Sequence, residues 1–226
     1  MHQRKSKKIL IYLFILIIFS SISNISINNL KFGEIRKINI SGLEKKNNKI
    51  LLNKVNDLNL GNIFFLNKNE IEELINSNSL IERFVIFKKY PSTININVEK
   101  TIFLAKINEN GKNFLVGSNG KLTFNDSGYN ELPYIFGKAK IRDFFKLKKI
   151  IDKSKFSYNQ IQNMYFYPSK RWDLKLKDNI LLKLPNNLTQ EILDHLYEFL
   201  EYYSGEDLTI IDVRLKNKII LNEYRK

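Results

Sequence analysis

No cysteine occurs in the chain. That excludes a disulfide framework, a thiol nucleophile and any lipid joined through cysteine, and it leaves packing alone to hold a folded domain together. Histidine is nearly as scarce, with His2 in the N-terminal tail and His195 in a late helical stretch. Glu191, His195 and Glu198 share one helical face, but Ile192, Leu196 and Phe199 flank the histidine and place it at the edge of a packed stripe rather than in a metal site. Also missing are a glycine-rich phosphate loop, a serine in a nucleophile-elbow setting and a histidine beside a nucleophile. Asp173, Asp178, Asp207 and Asp212 are spread over turns and strand ends, where carboxylates serve as turn formers. Trp172 in "KRWDL" reads as a core or sheet-face anchor. With no constellation converging on a reaction, neither a catalytic residue nor a cofactor or metal is expected.

Charge is absent from a second place, the run "ILIYLFILIIFSSISNISI" from Ile9 to Ile27. About 19 residues at 1.5 Å each nearly cross a ~30 Å hydrocarbon core, so a membrane-spanning helix is expected over residues 9–27. Arg4, Lys5, Lys7 and Lys8 precede it without an acid, which keeps residues 1–8 in the cytoplasm and sends the rest of the chain across. A cleaved signal peptide is the competing reading; Ile22, Asn24 and Ile25 crowd the places where a small-x-small cleavage site would fall.

What is abundant is lysine. The formal charge is +14, from 37 Lys+Arg against 23 Asp+Glu. The lysines are scattered and interleaved with acids while arginine is scarce, the pattern of a solvated surface rather than of a nucleic-acid site. The densest basic stretch, "KAKIRDFFKLKKIIDKSK", has helical spacing, with Ile141, Phe144, Phe145 and the segment Lys148 to Ile151 forming an apolar stripe beside a basic one. For an exported domain, the counterpart of such a stripe is an anionic membrane face.

Past the apolar run, "EIRKINISGLEKK" reads as a strand, and "NNKILLNKVNDL" and "FLNKNEIEELINSN" as two helices, the second opened by Asn67 three residues before Glu70. "IERFVIFKKY" and "PSTININVEK" follow as a hairpin turning at Tyr90-Pro91-Ser92-Thr93, with Ile94, Ile96 and Val98 on its dry side. The result is a β-α-α-β-β unit across residues 33–101. Beyond Thr101 the chain turns β-rich. "NFLVGSNGKLTF" predicts a two-residue hairpin at Asn119-Gly120 with both turn residues at positive φ, and "ELPYIFG" a loop or edge segment because of Pro133. Three short strands, "IQNMYFY", "RWDLKL" and "NILLKLP", precede a helix, "LTQEILDHLYEFLEYY", stopped by Gly205. The closing strands "LTIIDVRL" and "KIILNE" meet near Lys216-Asn217. A terminal strand reached by a hairpin is a candidate sheet edge, whose unpaired N–H and C=O groups another chain can extend. The opposing reading is that Lys216, Lys218 and Glu223 blunt that edge.

In their order and spacing, "INISGL", "GNIFFLNKNEI", "YPSTININVEK" followed by "LAKI", "LVGSNG", "LPYIFG", "RWDLKL", "LLKLP" and "IDVRLKNKIILN" resemble the bacterial cell-division family FtsQ/DivIB. The resemblance implies an α+β chain: a cytoplasmic tail (1–8), a single transmembrane helix (9–27), a POTRA domain (28–101) and a mixed α/β C-terminal β domain (102–226) with a terminal edge strand. It further implies a non-enzymatic inner-membrane scaffold of the divisome, binding the FtsB–FtsL pair by strand addition and other septal proteins elsewhere, with no nucleic acid or small-molecule substrate. Carried over, the partner-binding stretch is Arg214, Leu215, Lys216, Asn217, Lys218, Ile219, Ile220, Leu221 and Asn222. Leu215 stands where the family often has an aromatic, Lys218 where it often has glycine, and Glu223, beside Tyr224, where tryptophan is common. Backbone pairing tolerates such changes, whereas a lost aromatic anchor costs ~2 kcal/mol or more. Two other classes remain open on the residues: a POTRA-bearing periplasmic chaperone or secretion component, and a membrane-tethered cell-wall enzyme.

Overall fold

The computed structural model describes residues 5–24, 33–125, 129, 131–203, 208–216 and 218–223. They divide into two compact units, Met1–Ile75 with Phe84–Val98, and Asn76–Arg83 with Glu99–Lys226.

Helix α1 (Lys5–Asn24) contains residues 9–24 of the apolar run. Ile9 to Phe19 are all exposed large apolar side chains. Side chains are described over residues 7–20 of this helix, and among the described residues no helix is long and apolar enough to cross a membrane. Residues 25–27 of the expected span lie outside the described residues.

A β-α-α-β-β pattern runs through β1 (Lys37–Ser41), α2 (Lys45–Asn56), α3 (Asn69–Ser77), β2 (Ile81–Lys89) and β3 (Thr93–Lys100), most of it in the first unit, with the end of α3, the start of β2 and the end of β3 grouped in the second. Its sheet has the order β1-β3-β2, with β1 and β3 parallel and Ile38 and Ile40 in register with Ile94 and Ile96. Alternation puts Ile94, Ile96 and Val98 on the dry side, where they are buried together with Leu51 and Val55 of α2 and Ile71 and Ile75 of α3. The wet side is tied by hydrogen bonds, Asn39 Nδ2 donating to Asn95 Oδ1 at 2.8 Å and Ser41 Oγ to Asn97 Oδ1 at 3.0 Å. Asn67 opens α3 by accepting the Asn69 N–H at 3.1 Å. The turn between β2 and β3 contains a cis Tyr90-Pro91 bond.

The second unit is built on a sheet of β4 (Phe103–Glu109), β5 (Lys112–Gly117), β6 (Leu122–Phe124), β7 (Tyr134–Phe136), β8 (Ile161–Phe166), β9 (Trp172–Leu176), β10 (Leu181–Lys183), β11 (Leu208–Asp212) and β12 (Ile220–Glu223). Helices α4 (Ile141–Lys153) and α5 (Gln190–Tyr202) complete it. The nine strands run β12-β11-β10-β9-β8-β7-β4-β5-β6. Pairing registers align Ile107, Ile135, Met164, Leu174, Leu182, Ile211 and Leu221 in one row across seven strands. This row joins Phe144, Leu147 and Ile151 of α4 and Leu193 and Leu196 of α5 in a single apolar cluster, with Trp172 buried beside it.

Two expectations are corrected. The segment read as a loop or edge, "ELPYIFG", contributes β7, a central strand parallel to both β4 and β8. Pro133 does not bar it, because the proline precedes the strand and uses only its carbonyl, which accepts the Lys106 N–H at 2.8 Å. The two-residue turn with both residues at positive φ is Asn110-Gly111 (φ 52 and 79), joining β4 to β5, and not Asn119-Gly120. At the latter only Gly120 has positive φ, and the loop is one residue longer, with Gly117 N–H donating to Lys121 C=O at 3.0 Å. Asn119 is held otherwise, its amide donating to the carbonyls of Ser79 and Ile81 at 2.9 Å each.

Because Ile96 is fully buried and Asn95 lies on the wet side, Ile96→Ala is expected to lower the unfolding free energy by about 2–4 kcal/mol and Asn95→Ala by about 0.5 kcal/mol. Urea denaturation of the two variants measures the contrast.

Candidate partner-binding edge

Strand β11 leaves the core at Ile211, which is fully buried, and the chain reverses through Val213 to Ile219 before β12 returns antiparallel to it. The reversal is fastened at both ends. Val213 N–H donates to Lys183 C=O at 3.0 Å, and Lys218 N–H to Leu215 C=O at 3.2 Å. Leu221 pairs with Ile211 and packs against the core cluster, so Ile220 and Asn222 project from the opposite face. A register shift at Thr209 bulges β11.

Beside that bulge, Thr209 Oγ1 donates to the Asn222 carbonyl at 2.9 Å. A β11 side chain reaches this oxygen only if it points toward β11. By the alternation of an antiparallel ladder, the backbone groups of Asn222 and Ile220 face β11, and those of Leu221 face away from the sheet. Within the described residues β12 has no neighbour on that side, being first in the strand order. Leu221 therefore offers an outward N–H and C=O.

The structure brings most of the sequence-predicted residues to this one edge. Arg214, Leu215 and Lys216 form the start of the reversal, Lys218 and Ile219 its end, and Ile220, Leu221 and Asn222 the strand. Asn217 lies outside the described residues. Leu215, Ile219 and Ile220 are 55%, 44% and 50% exposed, an apolar group placed around the free edge. Of the three charges considered as edge-blunting, Lys216 and Lys218 fall in the turn, while Glu223 is the last residue of the strand itself.

Asp212 is more than the turn former expected from its position. It accepts from Arg214 N–H at 3.1 Å and Arg214 Nε at 2.8 Å, and its other oxygen takes the Nη2 end of the guanidinium. This hydrogen bonding holds the Asp212 carboxyl below its ordinary range and raises Arg214. The available signal was the spacing: Asp-x-Arg on an extended chain puts both side chains on one face. The same face carries Asp173 and Lys183 in register with Asp212. Asp173 is buried, and that burial pushes its carboxyl up against the opposing pull of Arg171. Arg171 Nε is 3.6 Å from Asp173 Oδ1, too far for a hydrogen bond, and that oxygen has none among the described residues. His195 is exposed, and Glu198 is engaged by Lys155 Nζ at 2.6 Å.

Two family models match the chain: "POTRA domain, FtsQ-type" over residues 34–100, and "Cell division protein FtsQ/DivIB, C-terminal" over residues 105–214. The second ends at Arg214, before β12. Among curated relatives, the cell division protein FtsQ of Rickettsia bellii is 25% identical over 194 residues, covering 84% of this chain and 73% of that protein. That of Rickettsia felis is 26% identical over 210 residues, covering 89% and 77%. Among solved structures, the major extracytoplasmic domain of the trans isomer of DivIB from Geobacillus stearothermophilus aligns over 48% of this chain and 92% of its own, at 11% identity and a TM-score of 0.33.

The Asp212–Arg214 clamp has a defined pH window. Because the folded carboxyl is lowered, its contribution is complete above the unfolded value of about 3.9 and disappears only as pH falls through the lower folded value. The Arg214 Nε–H NMR signal is expected to stay protected from pH 7 through about 4 and to lose protection only at still lower pH, as the folded Asp212 carboxyl takes up its proton. In Asp212→Asn it is expected to be unprotected throughout.

Proposed function

Because the chain belongs to the FtsQ/DivIB family of cell-division proteins, we propose that it is a non-catalytic membrane-anchored scaffold of the division machinery that captures the FtsB–FtsL pair by strand addition along β12. The observation that carries this reading is the terminal strand at the end of the sheet order, with the Leu221 backbone turned outward. An added strand satisfies those groups while its side chains meet the exposed Leu215, Ile219 and Ile220. Peptide groups are the same for every residue but proline, so the departures at Leu215, Lys218 and Glu223 leave the main-chain contribution intact.

The anchor is the uncharged stretch 9–27. Its support is the run Ile9 to Phe19, apolar and exposed all round the helix, preceded by Lys7 and Lys8. On this reading residues 1–8 remain in the cytoplasm, residues 28–101 and 102–226 form the two exported domains, and the protein gathers in the inner membrane at the septum. The linkage is mechanical: one chain ties a binding edge to the bilayer.

Proline is tolerated on an edge strand where its missing N–H faces away from the sheet. Leu221→Pro is therefore expected to keep the fold while weakening capture of an FtsB–FtsL complex by about tenfold or more in a pulldown titration. Undiminished capture by the folded variant would falsify the pairing.

A further inference from the structure

Helix α4 carries a feature that strand addition does not use. Its orientation is fixed because Phe144, Leu147 and Ile151 are buried in the core cluster. Arg142, Lys146, Lys149 and Lys153 are exposed, at spacings of four, three and four. At about 100° and 1.5 Å per residue, the four cations fall within an arc of roughly 60° along a line of roughly 16 Å. Lys138 and Lys140 are exposed just before it.

Among the described residues none of the four has an ionic or hydrogen-bonding partner, whereas neighbouring cations do. Lys148, on the flank, pairs with Asp152 and lies 4.5 Å from the Tyr158 ring centroid, and Lys155 pairs with Glu198. Like charges three and four residues apart weaken a helix. The ridge therefore carries a self-repulsion that an anionic surface relieves and solvent only screens.

We propose that this ridge docks on the anionic headgroups of the bilayer that α1 occupies, an inference that rests on the anchor reading above. One feature favours lipid as the occupant. The cations form a straight line without an interleaved acid, which suits a planar layer of charge that needs no shape complementarity.

The test uses the full chain in nanodiscs of phosphatidylcholine alone or with about one-third phosphatidylglycerol, with lysine acetylation rates read by mass spectrometry. Lys138, Lys146, Lys149 and Lys153 are expected to react about threefold more slowly in the anionic discs, and the difference to vanish at about 0.5 M salt. Exposed Lys45 serves as the reference. The combined variant Arg142→Gln, Lys146→Gln, Lys149→Gln and Lys153→Gln leaves the buried face untouched and is expected to keep its thermal stability while Lys138 loses its protection. Equal rates for the ridge lysines in both discs overturn the proposal, as does Lys138 protection that persists in the variant. Extraction of the chain from both membranes by alkaline carbonate would instead overturn the anchor. The ridge would then still reveal itself as salt-sensitive co-flotation with phosphatidylglycerol vesicles, and its absence there would overturn the ridge as well.

Discussion

A single row of apolar side chains, from Ile107 through Ile135, Met164, Leu174, Leu182 and Ile211 to Leu221, sets the register of seven strands at once. Side chains alternate along a strand, so a slip of one residue anywhere in the row would turn a core residue into water and its polar neighbour into the core. The last member, Leu221, is what holds the short strand β12 in place. With Leu221 committed to the core, Ile220 and Asn222 must face the other way. The Thr209 hydroxyl on the Asn222 carbonyl fits the same register.

The edge is thus a consequence of core packing carried to the end of a sheet. Its backbone polarity is free for use because no later strand is present to consume it among the described residues. The face opposite the core repeats the logic with charge. Asp173, Lys183 and Asp212 stand in register, and Asp212 fixes the Arg214 guanidinium at the exit of β11. The edge thus carries an oriented arginine and three exposed aliphatic side chains, Leu215, Ile219 and Ile220. Preorganisation of this kind lowers the ordering cost that strand addition would otherwise incur.

Much of this was legible in the residues. The alternation of Ile94, Ile96 and Val98 gave a strand and its dry face, and the spacing of Leu51 and Val55 gave a helix, because burial on one side leaves a period in the sequence. The closing hairpin suggested an edge, since a strand reached by a tight reversal pairs on one side with the strand before it. Legibility failed where tertiary pairing outweighs local pattern. Tyr134 to Phe136 is too short to show a period, and only neighbours from distant parts of the chain make it a central strand. Asn110-Gly111 and Asn119-Gly120 are the same dipeptide, yet the second is diverted because its Asn119 side chain serves the carbonyls of Ser79 and Ile81. The outward direction of the Leu221 backbone was equally hidden, since it depends on which β11 residue stands opposite.

The Leu221 backbone unit is reported on directly by amide hydrogen exchange. In the free chain the Leu221 N–H should exchange quickly while the Ile220 N–H is protected by β11; when an FtsB–FtsL complex is added, Leu221 protection should rise by about tenfold or more with Ile220 little changed. Fast exchange at Leu221 in a saturated complex, with new protection appearing only elsewhere in the chain, would contradict the account.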